Sequence, residues 1–181
     1  DLIGWDFVHN DNNPFDDNGH GTHVSGVIGA KGDNNAGIAG VNWNIQMMAL
    51  KAFDATGSGT TASTLAAMEY ARNMGARLTN NSWGGSNFSQ LLLDEIRSHE
   101  TANILCVAAA GNASQDIQKT PTYPAAYHTD NIISVAAMDS THELAIFSNY
   151  SKSRVDLAAP GVGVYSAMPD NAYGYMSGTS M

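Results

Sequence analysis

The sequence is poor in cysteine and in basic residues, and each shortage narrows what the protein can be. With one cysteine in 181 residues, an internal disulfide is impossible. Cys106 lies in the apolar run 104–108, which predicts a small buried side chain on a strand and not a nucleophile. Eight Lys and Arg residues stand against 17 Asp and Glu, for a formal net charge of -9. Without a basic stripe to neutralise phosphates, nucleic acid is not expected as a partner.

Long hydrophobic runs are also missing. No run approaches the roughly 18 apolar residues that a membrane-spanning helix needs, so no membrane association is expected. The composition is otherwise that of a globular protein, with 43% hydrophobic and only 14% charged residues. This is enough apolar material for one sizeable core and one domain.

Apolar runs of strand length alternate with helical patterns along the chain. Strands are predicted over residues 45–53, 103–110, 132–138 and 155–159, and residues 77–85 are predicted to be a short strand that ends in a glycine turn. Helices are predicted after His20, from Thr60 or Thr61 to about Met74, and from about Ser89 to His99. This alternation predicts an α/β fold with a mostly parallel sheet covered by helices on both faces.

Three short motifs carry residues suited to hydrolytic chemistry. His20 stands between two glycines just before the helical pattern, and an imidazole can act as a general acid or base near neutral pH. Taken alone, this motif is more often structural than catalytic. Asn112 follows Gly111 at the carboxyl end of a predicted strand, and Ser180 follows a Gly-Thr turn.

These motifs, in this order, resemble those of the subtilisin-like serine peptidases (subtilases), and the resemblance covers nearly the whole chain. It implies a three-layer α/β/α fold with a mostly parallel central sheet. It further implies that Ser180 attacks the peptide carbonyl, His20 accepts its proton and Asn112 donates to the developing oxyanion. Polypeptide substrates, secretion and a monomeric state are expected on the same basis.

The resemblance also implies a set of substrate-binding residues. One edge of the cleft would pair with extended substrate, the opposite rim would face it, and a pocket would hold the side chain before the scissile bond. The residues are Gly57, Ser58 and Gly59 for the edge, Ser82, Trp83 and Gly84 for the rim, and Gly111 and Thr122 near the pocket. The alternative for Trp83 is an ordinary core residue.

The first 17 residues are rich in Asp and Asn, whose side-chain oxygens suit a hard cation such as calcium. The resemblance places calcium ligands at Asp6 and Asp11, with Asp16 as a further candidate. A second calcium loop would use Asn34. The alternative is a solvated acidic loop.

The sequence departs from the subtilase pattern at both ends. The orienting Asp of a Ser/His/Asp triad, expected in an Asp-Ser-Gly or Asp-Thr-Gly motif, is not found among the nineteen residues before His20. The sequence stops one residue after Ser180, where the resemblance implies a central helix. Residues 1–181 are therefore expected to be a partial catalytic domain, inactive when expressed alone.

Three other classes remain open. A sedolisin-type acid peptidase shares the fold and the Gly-Thr-Ser nucleophile, but would have Glu and Asp in place of His20 and Asn112. A degenerate, non-catalytic subtilase-like domain would bind peptides without cleaving them. A metal hydrolase using His20 and His23 is the weakest, because no Glu lies between them and no third ligand is evident.

Overall fold

The structure, a computed structural model, describes residues 4–181, and their contacts form two compact units. The first unit combines the chain up to Met74 with Tyr165–Tyr175, and the second combines Gly75–Val164 with Met176–Met181. The elements in chain order are β1 (Trp5–Asp6), α1 (His20–Gly29), β2 (Leu50–Lys51), α2 (Thr61–Asn73), β3 (Leu78–Asn81), α3 (Gln90–Thr101), β4 (Leu105–Ala109), β5 (Ile132–Met138), β6 (Leu157–Pro160), β7 (Val164–Met168) and β8 (Ala172–Met176).

In the first unit, helix α1 packs against the two-stranded sheet β7–β8. A side chain at Gly26 could not fit there, because its Cβ would lie 2.4 Å from the Ser166 hydroxyl. That hydroxyl donates a 2.7 Å hydrogen bond to the His23 carbonyl. The buried His23 ring lies 3.3 Å from the Gly174 carbonyl, so the helix contacts both strands.

Helix α2 has strong local signals at both ends. Thr60 accepts a hydrogen bond from the Ser63 backbone N–H, and the Ser63 hydroxyl accepts from the Thr60 N–H, which completes a capping box. After the helix, Gly75 takes a positive φ of 77°, a conformation that favours glycine. These are the boundaries that the sequence predicts.

The second unit is built on a four-stranded sheet in the order β3-β4-β5-β6, with every neighbouring pair parallel. Its core centres on Ala108, Ile117, Ala125 and Ala126, with Tyr123, Ile132 and Val155 packed against it. Helix α3 packs beside β4 and buries Leu92 and Ile96. Cys106 lies on β4 with 1% of its surface exposed, and burial raises the pKa of its thiol.

The predicted α/β class with a parallel sheet is confirmed. One prediction about an element needs correction, and one sheet was missed. Within the predicted 45–53 run only Leu50–Lys51 form a strand, while the Ile45 and Met47 side chains before it lie close to Gly29 of α1. The sheet β7–β8 was not predicted at all. Within residues 4–181, no helix is long and apolar enough to cross a membrane.

Candidate active site

The candidate residues of the second unit lie at the carboxyl ends of its parallel strands, where α/β sheets commonly bind ligands. Ser82 follows β3, and Asn112 lies just beyond β4. Gly161 directly follows β6, and its carbonyl accepts a 2.8 Å hydrogen bond from the Gly178 N–H. This bond holds the turn that carries Ser180 at the same edge of the sheet.

Asn112 is fixed in one orientation by Thr179. Its Oδ1 accepts two hydrogen bonds, from the Thr179 N–H at 2.8 Å and the Thr179 hydroxyl at 3.0 Å. The same hydroxyl accepts from the Gly111 N–H at 3.0 Å. Since Oδ1 is occupied, the two protons of Nδ2 remain as the donors that Asn112 can offer to a ligand.

Ser180 and Ser82 exchange two hydrogen bonds. The Ser180 hydroxyl donates to the Ser82 carbonyl at 3.2 Å, and the Ser82 hydroxyl donates to the Ser180 carbonyl at 2.9 Å. Ser82 also accepts from the side chain of Asn80 at 2.9 Å. The rim residue thus holds the backbone of the candidate nucleophile.

A cavity of about 410 Å³ opens beside these residues. Its walls include all five predicted binding residues of the second unit together with Asn112 and Ser180; the five are Ser82, Trp83, Gly84, Gly111 and Thr122. Paired backbone hydrogen bonds between Gly85 and Tyr123, at 2.8 and 2.9 Å, join two of its walls. The motifs of Asn112 and Ser180 therefore meet at one cavity of the second unit, and substrate binding there stays a prediction.

His20 lies in the first unit, as the first residue of α1. Helix α1 has no side-chain cap at Gly19, and Asp16 supplies the missing acceptors instead. One oxygen of Asp16 accepts from Gly19 N at 2.8 Å, and the other from the Thr22 N–H and hydroxyl, both at 2.7 Å. Burial alone would raise the pKa of Asp16, but these hydrogen bonds hold it below its ordinary value.

The surroundings of His20 favour the neutral form of its imidazole. Burial lowers the pKa of His20, the Asp16 charge opposes this, and neighbouring His23 lowers the pKa further, with a net shift below the ordinary 6.5. A neutral imidazole can accept a proton near pH 7, which a general base must do.

The predicted substrate edge, residues 57–59, forms an exposed turn in the first unit. Asp54 holds this turn by accepting from the Thr56 N–H and hydroxyl and from the Ser58 N–H. Gly57 has a φ of 77°, and Gly59 pairs with Phe53. One side of the segment is thus paired, and its role in substrate binding stays a prediction.

The candidate calcium ligands interact mainly with their own loops. The Asp6 carboxylate accepts from the N–H groups of Val8 and His9 and lies 2.9 Å from the His9 ring, while Asp11 accepts from the N–H of Asn13. Asn34 accepts from the Ala36 N–H.

The carboxylate of Asp16, described above, already serves the N-terminus of α1. In residues 4–181 no three His, Cys, Asp or Glu side chains are grouped so as to hold a metal ion. The carboxylates and histidines alone therefore do not form a metal site, and calcium stays a prediction.

Sequence reasoning missed two residues around Asn112. Thr179 fixes the Asn112 amide, and the buried Asn149 holds the backbone on either side of it. The position of Thr179 directly before the candidate nucleophile was the available signal in the sequence. Nothing in the sequence around Asn149 indicates such a role.

A sequence model of the subtilase family matches residues 3–181. A thermophilic serine proteinase of Bacillus sp. (strain AK1) is 42% identical over 99% of this chain and 43% of its own length. Thermitase of Thermoactinomyces vulgaris is 40% identical over 98% of this chain and 62% of its own length.

The fold is also similar to a solved structure. The crystal structure of a cold adapted subtilisin-like serine proteinase matches with a TM-score of 0.87 and 33% identity, over 98% of this chain and 62% of that one. The present chain therefore spans 43–62% of the length of these proteins.

Proposed function

Because this chain belongs to the subtilase family, we propose that the protein is a serine endopeptidase that hydrolyses peptide bonds through Ser180, His20 and Asn112. Ser180 attacks the scissile carbonyl, and His20 accepts the hydroxyl proton and later returns it to the leaving amine. The acyl-enzyme that forms is then hydrolysed by water. Among residues 4–181 the structure identifies no orienting Asp for His20, since Asp16 is engaged at the N-terminus of α1.

The observation that carries the proposal is the contact of Asn112 with Thr179, one residue before Ser180. With Oδ1 held at 2.8 and 3.0 Å, the Asn112 Nδ2 is oriented in advance as a donor beside the nucleophile. A donor already in place when charge develops on the carbonyl oxygen stabilises the transition state without reorganisation. The Ser180 backbone N–H is the proposed second donor.

The cavity also supports a substrate preference. None of its lining residues is Asp, Glu, Lys or Arg. A buried Lys or Arg side chain would therefore lack a partner there, and such a charge is costly to bury. We expect cleavage after sizeable apolar or aromatic residues, and a peptide-library profile dominated by basic residues would contradict this.

Two features inferred by resemblance belong to the proposal. Secretion is proposed because a broad endopeptidase would otherwise digest the proteins of the cell that makes it; activity confined to cell extracts would contradict it. Calcium is proposed as a stabiliser at the Asp6–Asp11 loop, where antiparallel pairing brings these two acids together.

The test uses the intact protein with a fluorophosphonate probe and a peptide anilide. The probe is expected to label Ser180, and Ser180→Ala or His20→Ala is expected to abolish turnover. In subtilisin, where the values were measured, each such loss lowers kcat about 2 × 10⁶-fold, so that magnitude is carried over from a relative. Ser153→Ala, an exposed serine of the same unit, should retain activity. Labelling that persists in Ser180→Ala, or the absence of labelling and turnover in the wild type, would overturn the proposal.

A further inference from the structure

Asn149 is a buried polar residue outside the motifs of the candidate active site. Its side chain is 1% exposed and makes four hydrogen bonds. Oδ1 accepts from the N–H groups of Ala113 at 2.9 Å and Gln115 at 3.0 Å. Nδ2 donates to the Ala110 carbonyl at 2.9 Å and the Thr122 hydroxyl at 3.2 Å. Two acceptor sites and two donors are all that an Asn side chain has, so its amide is fully used.

These partners bracket Asn112. Ala110 lies two residues before it, Ala113 directly after it, and Thr122 on the wall of the cavity. The backbone of Asn149 adds a 2.8 Å hydrogen bond from its N–H to the Gly111 carbonyl. Asn149 thus connects both ends of the loop that carries Asn112 with one wall of the cavity.

The loop is closely fitted to this amide. Gly111 has a φ of 104°, and a Cβ there would lie 2.4 Å from the Asn149 Nδ2. Only a residue without a side chain allows this approach. From the other direction, Thr179 holds the Asn112 side chain itself. The position of the Asn112 amide is therefore fixed by two independent sets of contacts.

We propose that Asn149 is a positioning residue that holds the Asn112 amide in place for the oxyanion. The proposal rests on the function proposed above for Asn112. Oxyanion donors act because they are oriented before the charge forms, and an error of about 1 Å in a reacting geometry can cost up to about 100-fold in rate. Removing the Asn149 side chain leaves the Ala110 carbonyl and the Ala113 and Gln115 N–H groups without these partners, so the loop can shift.

The test compares three variants of the intact protein. Asn149→Ala removes all four side-chain bonds, and Asn149→Asp keeps the shape but places an oxygen opposite the Ala110 carbonyl. Asn131→Ala is the matched control, because Asn131 is also buried but lies before β5, where its Nδ2 donates to the carbonyls of Ile96 in α3 and of Ile104 just before β4. Both Asn149 variants are expected to lower kcat by about 10- to 100-fold with little change in KM, since the contact with the oxyanion exists only in the transition state.

The decisive measurement is a double-mutant cycle with Asn112→Ala. If Asn149 acts through Asn112, Asn149→Ala lowers kcat in the wild type but has no further effect once Asn112 is Ala. A peptide aldehyde, whose adduct with Ser180 mimics the oxyanion, should bind more weakly to Asn149→Ala by the same factor as kcat falls. If Asn149→Ala does not fold, Asn149→Ser, which can keep some of the bonds, replaces it in the cycle.

Each outcome has a distinct meaning. Equal losses of kcat in both backgrounds, or a loss no greater than that of Asn131→Ala, would refute the positioning role while leaving the oxyanion role of Asn112 intact. A wild-type kcat in Asn112→Ala would instead refute the proposed function of Asn112, and the positioning role with it.

Discussion

Replacing Asp16 should destabilise the first unit and shift the pKa of His20 at the same time. Asp16 accepts four hydrogen bonds, from the N–H groups of Asn18, Gly19 and Thr22 and from the Thr22 hydroxyl. Loss of a helix cap costs about 1 kcal/mol, and a hydrogen bond to a charged group contributes about 1.5–3 kcal/mol. Because Asp16 is only half-buried and water can replace part of these contacts, we expect Asp16→Ala to lower the free energy of unfolding by about 1.5–3 kcal/mol.

The pH dependence follows from the lowered pKa of Asp16. A carboxyl group with a depressed folded pKa stabilises the protein above its unfolded pKa, about 3.9, and that contribution is lost as the pH falls through the folded value. The difference between wild type and Asp16→Ala should thus be complete at pH 7 and shrink below about pH 4. Since the Asp16 charge raises the pKa of His20, the acid limb of kcat/KM should move to lower pH in the variant.

Urea titrations of the intact protein at several pH values measure the first effect, with Asp130→Ala as a control that removes one exposed acid. Running them with excess calcium and with chelator separates the two roles assigned to Asp16. A cap predicts the same loss in both conditions, whereas a calcium ligand predicts a larger loss with calcium. A stability equal to that of Asp130→Ala at pH 7 would refute the capping argument.

Three further outcomes are expected. Excess calcium should raise the melting temperature above its value with chelator. At a hundredfold excess of calcium over Kd, the expected gain in the free energy of unfolding is about 2.7 kcal/mol. An unchanged melting temperature would remove the calcium proposal. Peroxide should inactivate the wild type faster than the Met181→Ala variant. The Met181 sulfur and the Asn112 Nδ2 both lie within 3.6 Å of a Cβ placed on Gly178, so both groups lie beside this glycine. Oxidation of Met181 to the bulkier sulfoxide would therefore crowd the proposed oxyanion. Equal inactivation rates would place the sensitive group elsewhere. Gly111→Ala should lower kcat more than Gly163→Ala. Both positions have a positive φ, but a Cβ on Gly111 would lie 2.4 Å from the Asn149 Nδ2, whereas nothing lies within 4 Å of a Cβ on Gly163. Equal effects on kcat would mean that backbone strain alone matters.

Features encoded by neighbouring residues were predictable from the sequence. The capping residues Thr60 and Ser89 fix the starts of α2 and α3, and the apolar run 132–138 coincides with β5. The sheet β7–β8 escaped prediction although its turn contains Asp170 and Asn171, whose φ values of 61° and 57° are typical of hairpin turns. The Asp-Asn pair was the available signal.

The support of the candidate site could not be predicted in the same way. The motifs give His20, Asn112 and Ser180 because each stands in a short, distinctive sequence. Asn149 has no such context, and its four side-chain partners lie 27 to 39 positions away along the chain. Contacts of this range depend on how the strands pair, which a single sequence does not reveal.

The packing of α1 on β7 and β8 has a consequence for the order of folding. The hydrogen bond between Ser166 and His23 joins residues 143 positions apart, so the partner of the helix leaves the ribosome long after the helix itself. A 10-residue helix is shorter than the roughly 12–15 residues needed for stability in isolation. Helix α1, and with it His20, should therefore become ordered only after β7 and β8 have been synthesised. The general base proposed at His20 is thus not in place until the segment 164–176 has left the ribosome.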